Sequence, residues 1–554
     1  MKPNHIRILF LIAIGIMFIS LVGRWEQTFP SNDDAQKNTS QQENSHYETS
    51  TSQKNDVATA VTNPGSKDSD VISNYTKAGV VTINTKVFKD LQVSLLNGAI
   101  ISASLKDYDV SLEDKSPMSL LTDRAGSQYI AKSSIVLNKK PVSITFENKG
   151  IKKQSDGVVL TLQGSVDGLD VTRTYTFDDN KYAIKIDQKI TNTSSDSIGV
   201  IVDNSLVRDF DHDSDSFSLL NAHSYTFTGV AYSTINDKFK KESFKDIAKT
   251  NKQSKPFIVN NVGQGWVAFL QHYFMSAWIP QSTDSTIYYK KLSDDMFEAG
   301  EYTYNNIAPQ TSVDINSVFY TGPIIKTNLE SLAPNLEKSL DYGMLSFFSE
   351  IIFWVMNEIH SLVGNWGLAI ILVTVLIKAI FYPLSAKSYR SMAKMRMLQP
   401  RIKRMQETYK DDRQLLGRKM MELYKEEKVN PLSGCLPMVI QIPIFISLYW
   451  VLLESVQLRQ APFIFWIHDL SMKDPYFVLP ILMGLSMFVQ QKLSPAPADP
   501  MQAKIMMFLP IIFTFLFASF PSGLVLYWLT NNVISILQQW IITRSYKAAH
   551  THKK

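Results

Sequence analysis

Residues 361–384 read SLVGNWGLAIILVTVLIKAIFYPL, an apolar run with one charged side chain, Lys378. As a helix it would extend roughly 36 Å, enough to cross the hydrocarbon of a bilayer with some tilt. An ionisable group inside such a span is costly in lipid, which makes Lys378 a functional candidate by position. A second account competes with that one. Lys378 stands six residues before Leu384, about 9 Å by helix rise, so a snorkelling side chain also fits. Thr374, one turn earlier on the same face, would extend a polar lining.

Working outward, similar apolar runs predict spans at 432–453, 474–491, 504–520 and 523–543. Pro443, Pro480 and Pro510 fall inside them and need neighbouring helices to accommodate them. Residues 1–23 add a short basic start and an apolar stretch, followed by Gly23, Arg24 and Trp25 rather than a small-residue cleavage site. An uncleaved transmembrane anchor is expected there, a cleaved signal peptide being the alternative. The total is six spans.

Charge tests that count. The chain has 554 residues and a formal charge of +5, and residues 346–554 hold 22 Lys/Arg against 12 Asp/Glu. Residues 385–431 carry thirteen Lys/Arg against six Asp/Glu, whereas residues 454–473 hold only Arg459 and Lys473 as cations. The loop at 492–504, with Lys492 and Lys504 against Asp499, and the tail at 544–554 are basic again; the loop proper is expected at 492–503. Basic residues beside apolar spans mark the cytoplasmic side rather than a nucleic-acid substrate. The alternation puts both termini in the cytoplasm and the large segment between the first two spans on the opposite side. Cys435 is the only cysteine, which excludes an intrachain disulfide or a cysteine metal cluster.

That segment divides by composition. Residues 24–79 are rich in Ser, Asn, Thr, Gln and Asp and cannot bury enough apolar surface to offset ordering, so a disordered linker is expected. From 80 to 330, runs such as VVTINTKVF (80–88), VTRTYTF (171–177) and YAIKIDQKITNT (182–193) alternate apolar and polar residues. Asp167-Gly168, Asp178-Asp179-Asn180 and Ser194-Ser195-Asp196 supply turns. A large antiparallel β-sandwich follows. Residues 335–357 suit an amphipathic helix in the membrane interface, or one packed on the sandwich. Residues 385–431 read as a helical hairpin whose second helix starts at Asp411-Asp412 and closes at Asn430-Pro431. Its cations and methionines (Met392, Met395, Met405) suit a docking surface, or simply anionic lipid and ordinary packing.

Four stretches carry a family resemblance: MAKMRMLQP (392–400), EKVNPLSGCLPMVIQIPIF (427–445), LRQAPFIFWIHDLSMKDPYFVLPILMG (458–484) and PSGLVLYWLTNN (521–532). They closely resemble the YidC membrane protein insertases of Gram-negative bacteria, over roughly 200 residues from about 345 to 545. The resemblance implies an α+β membrane protein of the cell inner membrane. It would have a five-helix core plus the N-terminal anchor, and a large periplasmic β-supersandwich like that of sugar mutarotases. It also implies an insertase and chaperone that uses no nucleotide and no cofactor, with no catalytic or metal site. Such a protein works alone or with the Sec translocon on nascent integral membrane proteins, in contact with membrane lipids. Ribosomes or targeting factors would meet the cytoplasmic hairpin and basic tail.

In that family a hydrophilic groove opens to cytoplasm and lipid and holds an arginine, where this chain has Lys378. Charge attraction survives that change, but the planar fork that grips a carboxylate bidentately does not. Thr374, Asn531 and Asn532 are the further groove candidates. Gln441, Gln490, Thr514 and Gln538 share the apolar runs with them, and interhelical hydrogen bonding explains each as well. The resemblance places an apolar client slide at Phe445, Met483, Leu516 and Trp528. Two rival classes remain. A transporter would need internal repeats and a midplane site, and no repeat is visible. An enzyme would use His223 or His272 in the sandwich as acid or base.

Overall fold

The computed structural model describes residues 74–124, 127–137, 140–210, 227–250, 256–259, 265–293, 295–409, 412–427, 429, 436–494 and 500–551. The expected anchor (1–23), the linker up to residue 73, His223 and Cys435 lie outside them.

The alternating segment folds as expected. Between Val80 and Pro323, nineteen described strands form two antiparallel sheets of ten and nine strands. Strands Ser127–Leu137, Ile198–Asp209 and Met296–Ile307 are neighbours in the first sheet; Ser312–Pro323, Ala183–Asn192 and Leu169–Asp178 are neighbours in the second. The Asp167-Gly168 turn closes a tight hairpin in which Val166 faces Leu169. Both turn residues take positive φ, 45° and 80°. That backbone matches strand twist, and glycine adopts it without a Cβ clash. Every second residue of Leu169–Asp178 points between the sheets, so Leu169, Val171, Arg173, Tyr175 and Phe177 are all buried. Arg173 donates to Gln188 Oε1 (2.6 Å), Asn97 O (2.5 Å) and Ser133 O (3.3 Å), tying one sheet to the other.

The C-terminal part is helical: α1 (Ser346–Val363), α2 (Trp366–Ile380), α3 (Tyr382–Thr408), α4 (Arg413–Glu426), α5 (Leu436–Glu454), α6 (Val478–Leu493), α7 (Pro500–Phe517) and α8 (Ser522–Thr551). Two expectations need correction. The helix expected over 335–357 begins only at Ser346, because Asn335 and Gly343 take positive φ and leave short 3-10 turns before it. The span expected over 361–384 is broken at both ends. Gly364 (φ 67°) ends α1, Asn365 caps α2 by accepting from Leu368 N, and the chain bends by 69° into α3, with Pro383 in its first turn. Fifteen residues remain in α2, about 22 Å by helix rise.

No single described helix is long and apolar enough to cross a membrane, although α2 and α3 pass that test as a bent pair. The count of six spans therefore rests on charge pattern rather than on helix length. The helical surface is nevertheless apolar: Phe347, Leu362 and Phe515 are 70, 86 and 75% exposed, and Trp354, Ile481, Leu485, Ile505 and Ile512 also face outward. Water-soluble surfaces rarely carry so much contiguous apolar area.

The sandwich is seated on the helical part through polar contacts to backbone. Arg459 Nη2, in the loop after α5, donates to Asp109 O (2.7 Å) and Val110 O (2.9 Å). The His272 ring meets Leu453 O at 2.8 Å, and Trp266 Nε1 donates at 3.1 Å to Pro334 O in the segment that leads from the sandwich to the helices.

Candidate functional site

Helix α2 delivers Lys378 to the flank of α8. Its Nζ donates to Ser535 Oγ at 2.9 Å, and that hydroxyl donates to Asn531 O at 2.7 Å. Lys378 has no carboxylate partner among the described residues, and neither α2 nor α8 contains an acidic residue. Beside it lies a cavity of about 20 Å³ lined by Lys378, Phe381 and Ser385 on one side and Pro437, Ile440 and Gln441 of α5 on the other. That is room for about one water molecule. Gln441 Nε2 donates to the Tyr527 hydroxyl, so α5, α2 and α8 meet along one polar seam inside apolar helices. Asn531 is buried, and its Oδ1 has no partner among the described residues.

The other expected residues are placed as follows. The Thr374 hydroxyl donates to Ile370 O of its own helix at 2.6 Å and the residue is 1% exposed. Asn532 Nδ2 donates to Ser486 Oγ at 2.9 Å, which joins α8 to α6 rather than to the seam. Phe445 and Trp528 meet edge to face with ring centroids 4.7 Å apart. Leu516 is half-buried on α7, and Met483 is fully buried among the helices. Phe517 and Phe513 complete the aromatic cluster, 5.2 and 6.3 Å from Trp528. Those two and Ser535 were not singled out from sequence. The available signal was spacing: Phe513/Phe517 and Asn531/Ser535 are each i, i+4 pairs.

The hairpin methionines pack. Met395 and Met405 lie against Leu398, Ile402, Leu423 and Tyr424, while Met392 joins Tyr389 and Ile542.

The sandwich holds a second charged cluster. Lys290 is 2% exposed and pairs with Glu298 at 3.0 Å; Lys132 approaches the same carboxylate at 3.7 Å, and Tyr288 donates to Asp203 at 2.8 Å. Burial pushes Glu298 upward, but Lys290 and Lys132 outweigh it and hold the carboxyl below its ordinary range. Burial, with the Glu298 charge adding to it, raises Asp203. Burial also raises Glu301 to about 7. Both cations, Lys290 and Lys132, pair with Glu298, while Asp203 and Glu301 are kept toward the protonated form by burial. His272, the enzyme candidate, stacks on Tyr273 and is engaged with the helical part.

A helical part with an apolar outer surface, joined to a water-facing β-sandwich, defines an integral membrane protein with a large extramembrane domain. Two family models match it, the 60Kd inner membrane protein over residues 358–550 and the YidC periplasmic domain over residues 80–355. The membrane protein insertase YidC of Francisella philomiragia subsp. philomiragia is 74% identical over 555 residues, and that of Francisella tularensis subsp. novicida is 73% identical; both alignments cover the whole of each chain. A solved YidC insertase structure is 18% identical, with a TM-score of 0.37 over 84% of this chain and 96% of that one. The chain belongs to the YidC family of membrane protein insertases. Its β-sandwich is the periplasmic domain of that inner-membrane family.

Proposed function

We propose that this insertase accepts the polar flank of a client segment at the seam headed by Lys378, while the client's apolar helix lies against Phe445, Leu516 and Trp528. The observation that supports this most directly is one cation, bonded among the described residues to Ser535 alone, at the crossing of three apolar helices. Asn531 and Gln441 extend the polar strip. Thr374, Asn532 and Met483 are engaged otherwise: Thr374 bonds within its own helix, Asn532 ties α8 to α6, and Met483 is packed among the helices. No nucleotide chemistry enters: the client's apolar transfer drives insertion, and the seam lowers the cost of bringing its polar flank through.

The proposal includes a six-span topology with both termini in the cytoplasm, supported by the charge alternation of the loops. The hairpin and the basic tail then meet ribosomes or targeting factors, and the protein works alone or beside the Sec translocon. Photocrosslinkers placed at 378, 445 and 528 during translation of a short client test the groove. Client adducts from those positions, and none from buried 483, are expected. Adducts that ignore position overturn it. For topology, single cysteines at exposed Ser195 and at 410 in a Cys435→Ser background are treated with an impermeant maleimide in whole cells. Labelling at 195 alone is expected, and labelling at 410 alone reverses the scheme.

A further inference from the structure

At the opposite end of α8 from its start, three helices border a second and larger cavity that is open to the surface. Its volume is about 430 Å³ and its lining is Arg396 of α3, Leu493 of α6, and Trp540, Thr543, Arg544 and Ala548 of α8. Among the described residues Arg396 Nη1 reaches only the Leu493 carbonyl, at 3.5 Å, which Gln539 Nε2 already engages at 3.0 Å. The Arg544 guanidinium lies over the Trp540 ring at 5.4 Å, and Lys492 Nζ over Phe488 at 5.3 Å. None of these three cations has a carboxylate partner among the described residues. Helices α6 and α8 contain no acidic residue, and the one in α3 is Glu407, eleven positions beyond Arg396.

Below the cations the surface is apolar and open. Val533, Leu537, Trp540 and Ile541 fall on the α8 face that ends at Arg544, and Leu485, Phe488 and Val489 on the α6 face that ends at Lys492; all seven are exposed. Two apolar ridges, each topped by a cation that lies over an aromatic ring (Arg544 over Trp540, Lys492 over Phe488), match one kind of molecule: an anion carried on hydrocarbon chains. We propose that this cavity is a binding site for the headgroup of an anionic phospholipid, with Arg396 and Arg544 on the phosphate and the acyl chains along the two ridges. Arginine suits the phosphate because its fork donates in parallel. Charge and apolar surface together favour lipid over a nucleic acid, which would leave the ridges uncovered. The assignment is independent of the Lys378 seam and survives if that reading fails.

The test uses the full-length protein in a neutral detergent, offered equal amounts of phosphatidylglycerol and phosphatidylcholine and read by native mass spectrometry. Retention of phosphatidylglycerol over phosphatidylcholine is expected. The preference should fall about fivefold for each of Arg396→Gln and Arg544→Gln, persist in the Arg396→Lys/Arg544→Lys double variant, and be unchanged by Lys403→Gln/Arg404→Gln further along α3. Equal retention of both lipids, or an equal loss from the Lys403/Arg404 variant, overturns the assignment. So does displacement of the lipid by millimolar inorganic phosphate, which would make the site one for a free anion. A short RNA that displaces the lipid, and whose binding the two glutamine variants abolish, would make it a nucleic-acid site and overturns it equally.

Discussion

If Lys378 attracts acidic groups on a client, its charge must matter more than its shape. Nζ now bonds one neutral hydroxyl, Ser535 at 2.9 Å, in a half-buried setting without a carboxylate. A client carboxylate brought to about 4 Å would gain about 1 kcal/mol in bulk water and about 4 kcal/mol at an effective dielectric near 20. The seam is narrow but not sealed, so about 2 kcal/mol is the working figure, a factor of roughly thirty in capture. The assay is insertion of one small client into proteoliposomes, with and without two acidic residues in its translocated segment. Lys378→Arg should insert both clients normally. Lys378→Ala should lose up to about thirtyfold on the acidic client and little on the neutral one, Lys378→Met should match Ala, and Lys378→Glu should be worst. A snorkelling bystander behaves differently, because removing a costly intramembrane cation then leaves Ala neutral on both clients. Equal activity of the Ala and Lys proteins on the acidic client would refute the groove cation. A defect that ignores client charge would refute it too, since packing would explain that better.

Gly98→Ala should destabilise the β-domain by about 3 kcal/mol or more, since Gly98 has φ +62° and a Cβ there meets the Tyr175 hydroxyl and Arg173 Nη1; an unchanged melting temperature would show that this inter-sheet tie is dispensable. Stability of the same domain should fall as pH rises from about 4 to about 7. Glu301 (raised to about 7) and Asp203 (raised) hold protons in the folded state that the unfolded chain has released. The depressed Glu298 acts oppositely, and its contribution is lost only as pH falls below the ordinary carboxylate range; melts at pH 4.5 and 8 check the sign. Met483→Ala should cost about 2–5 kcal/mol of stability for every client alike, because Met483 is wholly buried, whereas Trp528→Ala should impair insertion in proportion to client hydrophobicity; the reverse pattern would exchange their roles.

The strands were legible because a half-buried strand writes itself into sequence with period two, and Asp167-Gly168 has few alternatives to a tight turn. Helix boundaries were less legible. The apolar run at 361–384 is continuous, yet Gly364 ends one helix and Asn365 caps the next, and hydropathy does not register a capping geometry. Lys378 stood out because a charge in an apolar run is rare. Its partner Ser535, 157 residues away, did not, because a serine on a membrane helix is ordinary. Thr374 and Asn532 were polar on the right helices, but which neighbour a short side chain meets depends on helix rotation, which spacing alone does not fix.

The attachment of the periplasmic domain follows from the same distinction between local and distant information. On its N-terminal side lies the polar stretch 24–79, whose composition predicts little burial; its described end corrects that expectation, with Asn74–Lys77 helical and Tyr75 buried against Ala99, Ile101 and Ile130. Its C-terminal side is held differently. Arg459 meets Asp109 and Val110 across about 350 residues of chain, His272 meets Leu453, and Lys326 pairs with Glu350 of α1 at 2.8 Å. The first two contacts fall on backbone carbonyls, which substitution of the side chains there leaves in place. Two of the three anchors belong to the loop after α5 or to α5 itself, on the side of the helices away from the hairpin. A domain seated there can brace α1 and α5 against each other without touching the Lys378 seam, which opens between α2, α5 and α8 near the hairpin. On the proposed reading, support and client capture are thereby separated along α5: its C-terminal end carries the sandwich, and its N-terminal half, through Pro437, Ile440 and Gln441, lines the cavity beside Lys378.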